Sequence, residues 1–231
     1  MDKDMLTDCA KNMWAFPLIG ALIGLLAGLF GWFAYHLLPG IVVGGLVMAL
    51  LLWMTGLHHT DGLLDFGDGV MAHGTPEHKI EVMHDQLTGA GGLTLGMLTI
   101  LITALAFGTL SLRLIFPAVL VIEMCAKLSM VVAAWAGKSV HQGMNSSFLE
   151  AMHGKGGNWR LVAALAISAA IAILFLRWAG VFVVLAAVIT GLLMVAVAHR
   201  HFKGVTGDVF GATNELTRLV CIVVLVAVVV R

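Results

Sequence analysis

Residues 14–37 read WAFPLIGALIGLLAGLFGWFAYHL, a run without a single Asp, Glu, Lys or Arg. A helix needs about 20 apolar residues to cross the roughly 30 Å hydrocarbon core of a bilayer, so the run reads as a membrane span. It is too long for a signal-peptide core, and no basic n-region or small-residue cleavage site frames it. Six further stretches have the same character: Gly40–Leu57, Gly92–Leu110, Leu114–Ala136, Leu161–Leu176, Gly180–Ala198 and Leu216–Val230. The last is the shortest, and at 1.5 Å per residue it reaches only about 23 Å.

Composition agrees with this reading. Of 231 residues, 60% are hydrophobic and 11% charged, and mean hydropathy is +1.01. A soluble domain runs nearer 45–50% apolar and about 25% charged, so this chain has too little charge to coat a water-exposed surface. The expected fold is all-α: one polytopic membrane bundle over 1–231 with about seven transmembrane helices. Thirteen basic residues balance thirteen acidic ones, so net charge gives no sign of nucleic acid or another anionic partner. Cys9, Cys125 and Cys221 form no CxxC motif, and two of them lie in apolar runs where a buried free thiol is the usual state.

The connections alternate in length. Leu38–Pro39, Ser111–Arg113 and Arg177–Ala179 are short, whereas 58–91, 137–160 and 199–215 are long and polar. Seven spans place every long loop on the side of the N-terminus. Nine basic residues, Arg218 included, lie on or near that side and three lie opposite. Such a bias marks the cytoplasmic face, so the N-terminus and the long loops are expected there. Nine of ten histidines share that face. A transporter usually places ionisable groups near the midplane and opens to both sides. This distribution instead suggests an enzyme working at the cytoplasmic surface of the inner membrane.

The first loop carries most of the chemistry. Asp61, Asp65 and Asp68 recur at i, i+4, i+7 and fall on one face if the preceding span continues through them as a helix. Three carboxylates so close repel unless a cation intervenes, and hard oxygen ligands suit Mg²⁺ or Mn²⁺ shared with substrate phosphates. A solvated acidic turn is the plainer reading. His59 is a candidate for phosphate contact or general base. No HExxH motif supports zinc. Farther on, Glu81 and Asp85 either complete a metal shell or face water on a helix that starts with Thr75 as cap and Pro76 at its first position.

Glu123 and Lys127 stand i, i+4 in the fourth span, as a structural ion pair or as part of a substrate cavity. Gly143 and Asn145 in the second long loop offer small size and backbone amides to a phosphate or ribose. In the third, Thr206, Gly207, Asp208 and Glu215 form a second acidic, glycine-rich cluster. Glu215 alternatively caps the short last span. Neither a Walker loop nor a GxGxxG fingerprint is present.

The run His59-x-Asp61-Gly62-Leu63-x-Asp65-x-x-Asp68-Gly69, then Glu81-Val82-Met83-x-Asp85, resembles the cobalamin synthase family. Gly207-Asp208-x-x-Gly211-Ala212-x-x-Glu215-Leu216 resembles that family's C-terminal motif, and Gly143-Met144 with Phe148 its middle one. Two positions depart from many members: Gln86-Leu87 after Asp85, and Lys127 where Arg is common. The resemblance implies an adenosylcobinamide-GDP ribazoletransferase, which joins adenosylcobinamide-GDP to α-ribazole or its 5′-phosphate and releases GMP. It implies Mg²⁺ dependence and a site in the bilayer. On this reading Asp61, Asp65, Asp68, Glu81 and Glu215 are metal ligands, and His59, Asp85 and Asp208 are catalytic. Glu123, Lys127, Gly143, Asn145, Thr206 and Gly207 then contact substrate. A homo-oligomer and contacts with other B12-assembly enzymes stay open as partners. The competing readings are a CDP-alcohol phosphotransferase and a metal- or proton-coupled transporter.

Overall fold

The computed structural model describes residues 8–140 and 144–229. Among them the helices are α1 (Phe16–Ala34), α2 (Gly40–Met54), α3 (His58–Met71), α4 (Pro76–Met83), α5 (Ala90–Gly108), α6 (Leu112–Ala136), α7 (Met144–His153), α8 (Gly157–Leu176), α9 (Trp178–Phe202) and α10 (Gly207–Val229). No strand forms among the described residues, apart from an isolated parallel bridge between Ser139 and Val205. Six helical stretches there are long and apolar enough to cross a membrane: Met13–Ala34, α5, α6, α8, α9 and α10.

The expected second span is where sequence and structure part. Helix α2 does not run on through the aspartates; α3 leaves it at 94°. The cause is local. Thr55 turns its hydroxyl back to the Leu51 and Leu52 carbonyls, and Gly56 takes φ +60°. The Leu57 amide then closes on the Leu52 carbonyl at 3.1 Å, which is a Schellman stop with glycine in its left-handed position. Helix α2 is therefore 15 residues, about 23 Å long. Helix α3 runs across the end of the bundle, against the starts of α5 and α10.

The long polar loops are also largely helical. Segment 58–91 holds α3 and α4, and Thr75 caps α4 as expected, accepting from the His78 amide at 3.3 Å. Segment 137–160 holds α7. Segment 199–215 is nearly all helix, because α9 continues to Phe202 and α10 begins at Gly207. Thr206 starts α10 by accepting from the Val209 amide at 3.3 Å. The last span is thus 23 residues rather than the short one expected, and Glu215 lies inside it, not at its cap.

Helix α6 is the axis of the bundle. Every residue from Ala118 to Ser129 is buried, Glu123 and Lys127 included, so the helix is enclosed by others on all sides. Helix α1 packs along it in the opposite direction through Gly20, Gly24 and Gly28. A Cβ at Gly24 would stand 2.6 Å from the Leu120 Cα, so only a small residue allows this approach. The start of α1 thus meets the end of α6, and the N-terminal side shares one end of the bundle with α3, α4 and α7. Large side chains such as Leu22, Phe33, Leu101, Leu174 and Leu193 face outward, the surface a lipid bilayer covers. Cys125 and Cys221 are free and buried, and Cys9 is exposed.

Candidate active site

Helix α3 presents Asp61, Asp65 and Asp68 at the spacing the sequence predicted, but two glycine crossings decide what they meet. At Gly62 a Cβ would come within 3.0 Å of the Asp208 Cα, and at Gly211 within 3.2 Å of the Gly62 Cα. At Gly67 it would come within 2.8 Å of the Gly92 Cα. Backbone against backbone at both crossings clamps α3 between the starts of α10 and α5. Asp61 and Asp65 therefore share a charged neighbourhood with Asp208, about 145 residues away in sequence. Partial burial first, then the charges of Asp61, Asp208 and Asp68, push the Asp65 carboxyl up to about 7. Asp208 accepts from the Thr206 hydroxyl at 3.4 Å, and His84 Nε2 lies 3.7 Å from its Oδ2.

The other acids fare differently. Asp68 accepts from the Gly89 amide at 2.7 Å and the Gly92 amide at 2.8 Å. It thus closes the N-terminus of α5, where backbone amides and the helix dipole favour a carboxylate. Glu81 is exposed beside His78 at 3.4 Å. Asp85, also exposed, accepts from the Leu87 amide at 3.1 Å. Among the described residues no three His, Cys, Asp or Glu side chains converge to hold a metal by themselves.

Deeper in the bundle, the expected pairing of Glu123 with Lys127 is replaced. Arg218 of α10, fully buried, donates from Nε to Glu123 Oε1, from Nη2 to Glu123 Oε2 at 3.0 Å, and from Nη1 to Glu215 Oε2. Lys127 instead donates to Asn214 Oδ1 at 2.5 Å, and Asn214 Nδ2 donates to Glu215 Oε1 at 3.2 Å. A guanidinium offers several donors in a fixed fork and can bind two carboxylates at once, which an ammonium on the same helix as Glu123 does not match. Sequence reading missed Arg218 by counting it with the surface charges of the loop side. The available signal was a lone arginine inside an apolar run, three residues after Glu215. Glu215 is thereby buried and committed to Arg218, well inside α10.

His59 links the two layers. Its Nε2 lies 3.4 Å from Lys127 Nζ, and its buried Nδ1 has no partner. Burial, then the charges of Lys127, Arg218 and His58, drive its pKa down to about 2, so it stays neutral. The predicted contact residues of the other loops hold the frame together. Thr206 is buried as the cap of α10. Asn145 donates to the Val205 carbonyl at 3.0 Å and to Ser139 Oγ at 3.4 Å. Gly207 opens α10 and is exposed; Gly143 lies outside the described residues.

Fold and site together define a polytopic helical membrane protein with carboxylates gathered at one end, over a buried ionic network. Residues 2–226 match the family model described as cobalamin-5-phosphate synthase. The chain belongs to that family. It is 34% identical to the adenosylcobinamide-GDP ribazoletransferase of Methanocella arvoryzae, over 95% of this chain and 87% of the relative. The protein of the same name from Thermococcus kodakarensis is also 34% identical, over 95% and 90%. That of Methanococcoides burtonii is 28% identical, over 97% and 85%. No solved structure matches the chain. Neither the CDP-alcohol phosphotransferase reading nor the transporter reading finds support in these matches.

Proposed function

We propose that the chain transfers the adenosylcobinamide phosphoryl moiety of adenosylcobinamide-GDP to α-ribazole or its 5′-phosphate, releasing GMP. The observation that carries this reading is the crossing of α3 and α10 at Gly62 and Gly211, which brings two distant acidic motifs to one end of the bundle. Phosphoryl transfer asks for positioning and for neutralisation of charge more than for covalent chemistry. The oxygen donors of Asp61 and Asp65 would suit Mg²⁺, or Mn²⁺. Such ions are commonly bound by one or two carboxylates with phosphate and water completing the shell, so no all-protein cage is needed. When bound, Mg²⁺ would offset the charge of the diphosphate.

The residues of the chain supply the rest. A ribose hydroxyl forms a bond to the cobinamide-side phosphorus, the bond from that phosphorus to the GMP oxygen breaks, and the hydroxyl proton passes to Asp208. Asp208 suits this role better than His59, because a group held neutral with so low a pKa is a weak proton acceptor. Lys127, at the floor of the site, supplies positive charge toward the incoming phosphates. Glu123 acts through Arg218, and Asp68 through the start of α5. The nine-to-three basic bias supports a cytoplasmic membrane location with the site on the cytoplasmic side. The test is direct: purified protein given adenosylcobinamide-GDP, α-ribazole and Mg²⁺ releases GMP and forms a cobalamin. GMP release independent of α-ribazole, or none at all, refutes the reading.

A further inference from the structure

Next to the aspartates but separate from them lies a cavity of about 190 Å³, lined by Met13, Phe16, Met130, Asn145, Phe148 and Phe210, with the exposed Gly207 at its open edge. It sits where the starts of α1, α7 and α10 meet the last turns of α6, at the loop end of the bundle. Phe16 and Phe148 meet edge to face, with ring centroids 5.7 Å apart. Phe210 and Met13 are buried. The polar side chain in the wall, Asn145, is fixed by its bonds to Val205 and Ser139. The wall is thus carbon, sulfur and aromatic face.

Volume and lining constrain the occupant. A sealed apolar cavity of about 150 Å³ takes benzene; this one is larger and open at Gly207, so a flat bicyclic arene can enter it with one edge left in the opening. Aromatic rings and methionine sulfur favour a flat, polarisable guest. Guanine would bring several hydrogen-bonding groups into a wall with little to pair them, at a cost of roughly 1–3 kcal/mol each. The base of ribazole is a dimethylbenzimidazole, whose ring, once joined to ribose, keeps a single nitrogen acceptor and carries two methyl groups on its far edge. We propose that this cavity is the subsite for the benzimidazole base, an inference that rests on the transferase reading above. A base held there places its ribose at Gly207 and therefore beside Asp208, the next residue and the proposed proton acceptor. The cavity also gives Phe148 and Phe210 a task in substrate selection that their motif neighbours do not share.

The experiment compares acceptors and variants in the GMP-release assay on the full chain, with α-ribazole binding measured separately by equilibrium dialysis. Each methyl removed from an apolar pocket is worth roughly tenfold or more in discrimination. The wild type is expected to favour α-ribazole over the unsubstituted benzimidazole riboside by at least that factor, and the adenine riboside to be poorer still. Phe148→Ala raises the KM for α-ribazole and weakens its dialysis Kd by about tenfold, while the KM for adenosylcobinamide-GDP stays within about twofold. Phe148→Trp, which fills the space, narrows the preference for the dimethyl base over the unsubstituted one. A merely structural role for Phe148 would move both substrates together. If both variants turn over with an unchanged KM for α-ribazole, or the wild type uses the adenine riboside equally well, the subsite assignment is overturned and the transferase reading stands. Absence of any acceptor-dependent GMP release from the wild type brings down the transferase reading itself, and the subsite with it.

Discussion

Replacing Arg218 with Met removes the cation between two carboxylates that have no access to water. Glu123, Glu215 and Arg218 are each fully buried, and Lys127 nearly so. Two buried anions and two buried cations balance in the native protein; Arg218→Met leaves one negative charge uncompensated. Breaking a buried ion pair by removing one partner costs about 3–5 kcal/mol. At about 2–4 °C per kcal/mol for a chain of this size, the melting temperature in detergent should fall by roughly 6–20 °C. The same charge count predicts a rescue. Arg218→Met combined with Glu215→Gln leaves Glu123 and Lys127, an equal pair at i, i+4 on α6, so the double variant should melt well above the single one. Differential scanning fluorimetry of the three proteins measures both effects. An Arg218→Met melting point within ~2 °C of wild type, or a double variant no better than the single, refutes the charge-balance reasoning.

Further outcomes follow from the geometry. Asp61→Asn and Asp65→Asn should each lower turnover at least ~100-fold without lowering the melting temperature, since each relieves carboxylate repulsion; a tenfold excess of Mg²⁺ should recover part of the loss if the ion is held there, as GMP-release titrations would show. Asp68→Ala should instead lower thermal stability by about 1 kcal/mol, the scale of a lost helix cap, seen in the same melting assay. Gly211→Ala puts a methyl group 3.0 Å from the His59 carbonyl, so α3 must shift by a few tenths of an ångström; turnover should drop about tenfold or more with the fold intact, and a fully active variant would show that the crossing need not be so close. Cysteines introduced at Thr75 and Ser111, which sit before α5 and after it, should react with an impermeant maleimide from opposite sides of the membrane. Labelling from one side would overturn the shared-face topology.

The membrane class and the helical character were legible in the sequence because they depend on sums: long runs without charge have no other stable home than lipid or a buried core. The spacing of Asp61, Asp65 and Asp68 was legible for a similar reason, since helix periodicity alone puts them on one face. The stop at Gly56 was present as a signal, but hydropathy windows pass over a glycine, so the second span was read through to Leu57. The helix that starts at Thr75-Pro76 is legible from its cap as well, whereas α7 is a polar helix inside a stretch that hydropathy alone shows only as loop.

Only the tertiary structure decided the partners. Whether Glu123 meets Lys127 or Arg218, whether Asp68 serves a helix terminus, and whether Glu215 faces the aspartates or a guanidinium all depend on which helices touch. For α3 that is fixed by backbone approach at Gly62, Gly67, Gly92 and Gly211, and for Arg218 by the packing of α10 on α6, long-range matters on which local periodicity is silent. Spacing along one helix states which side chains share a face. It does not state what stands opposite, and the energy of a buried charge is set almost entirely by what stands opposite.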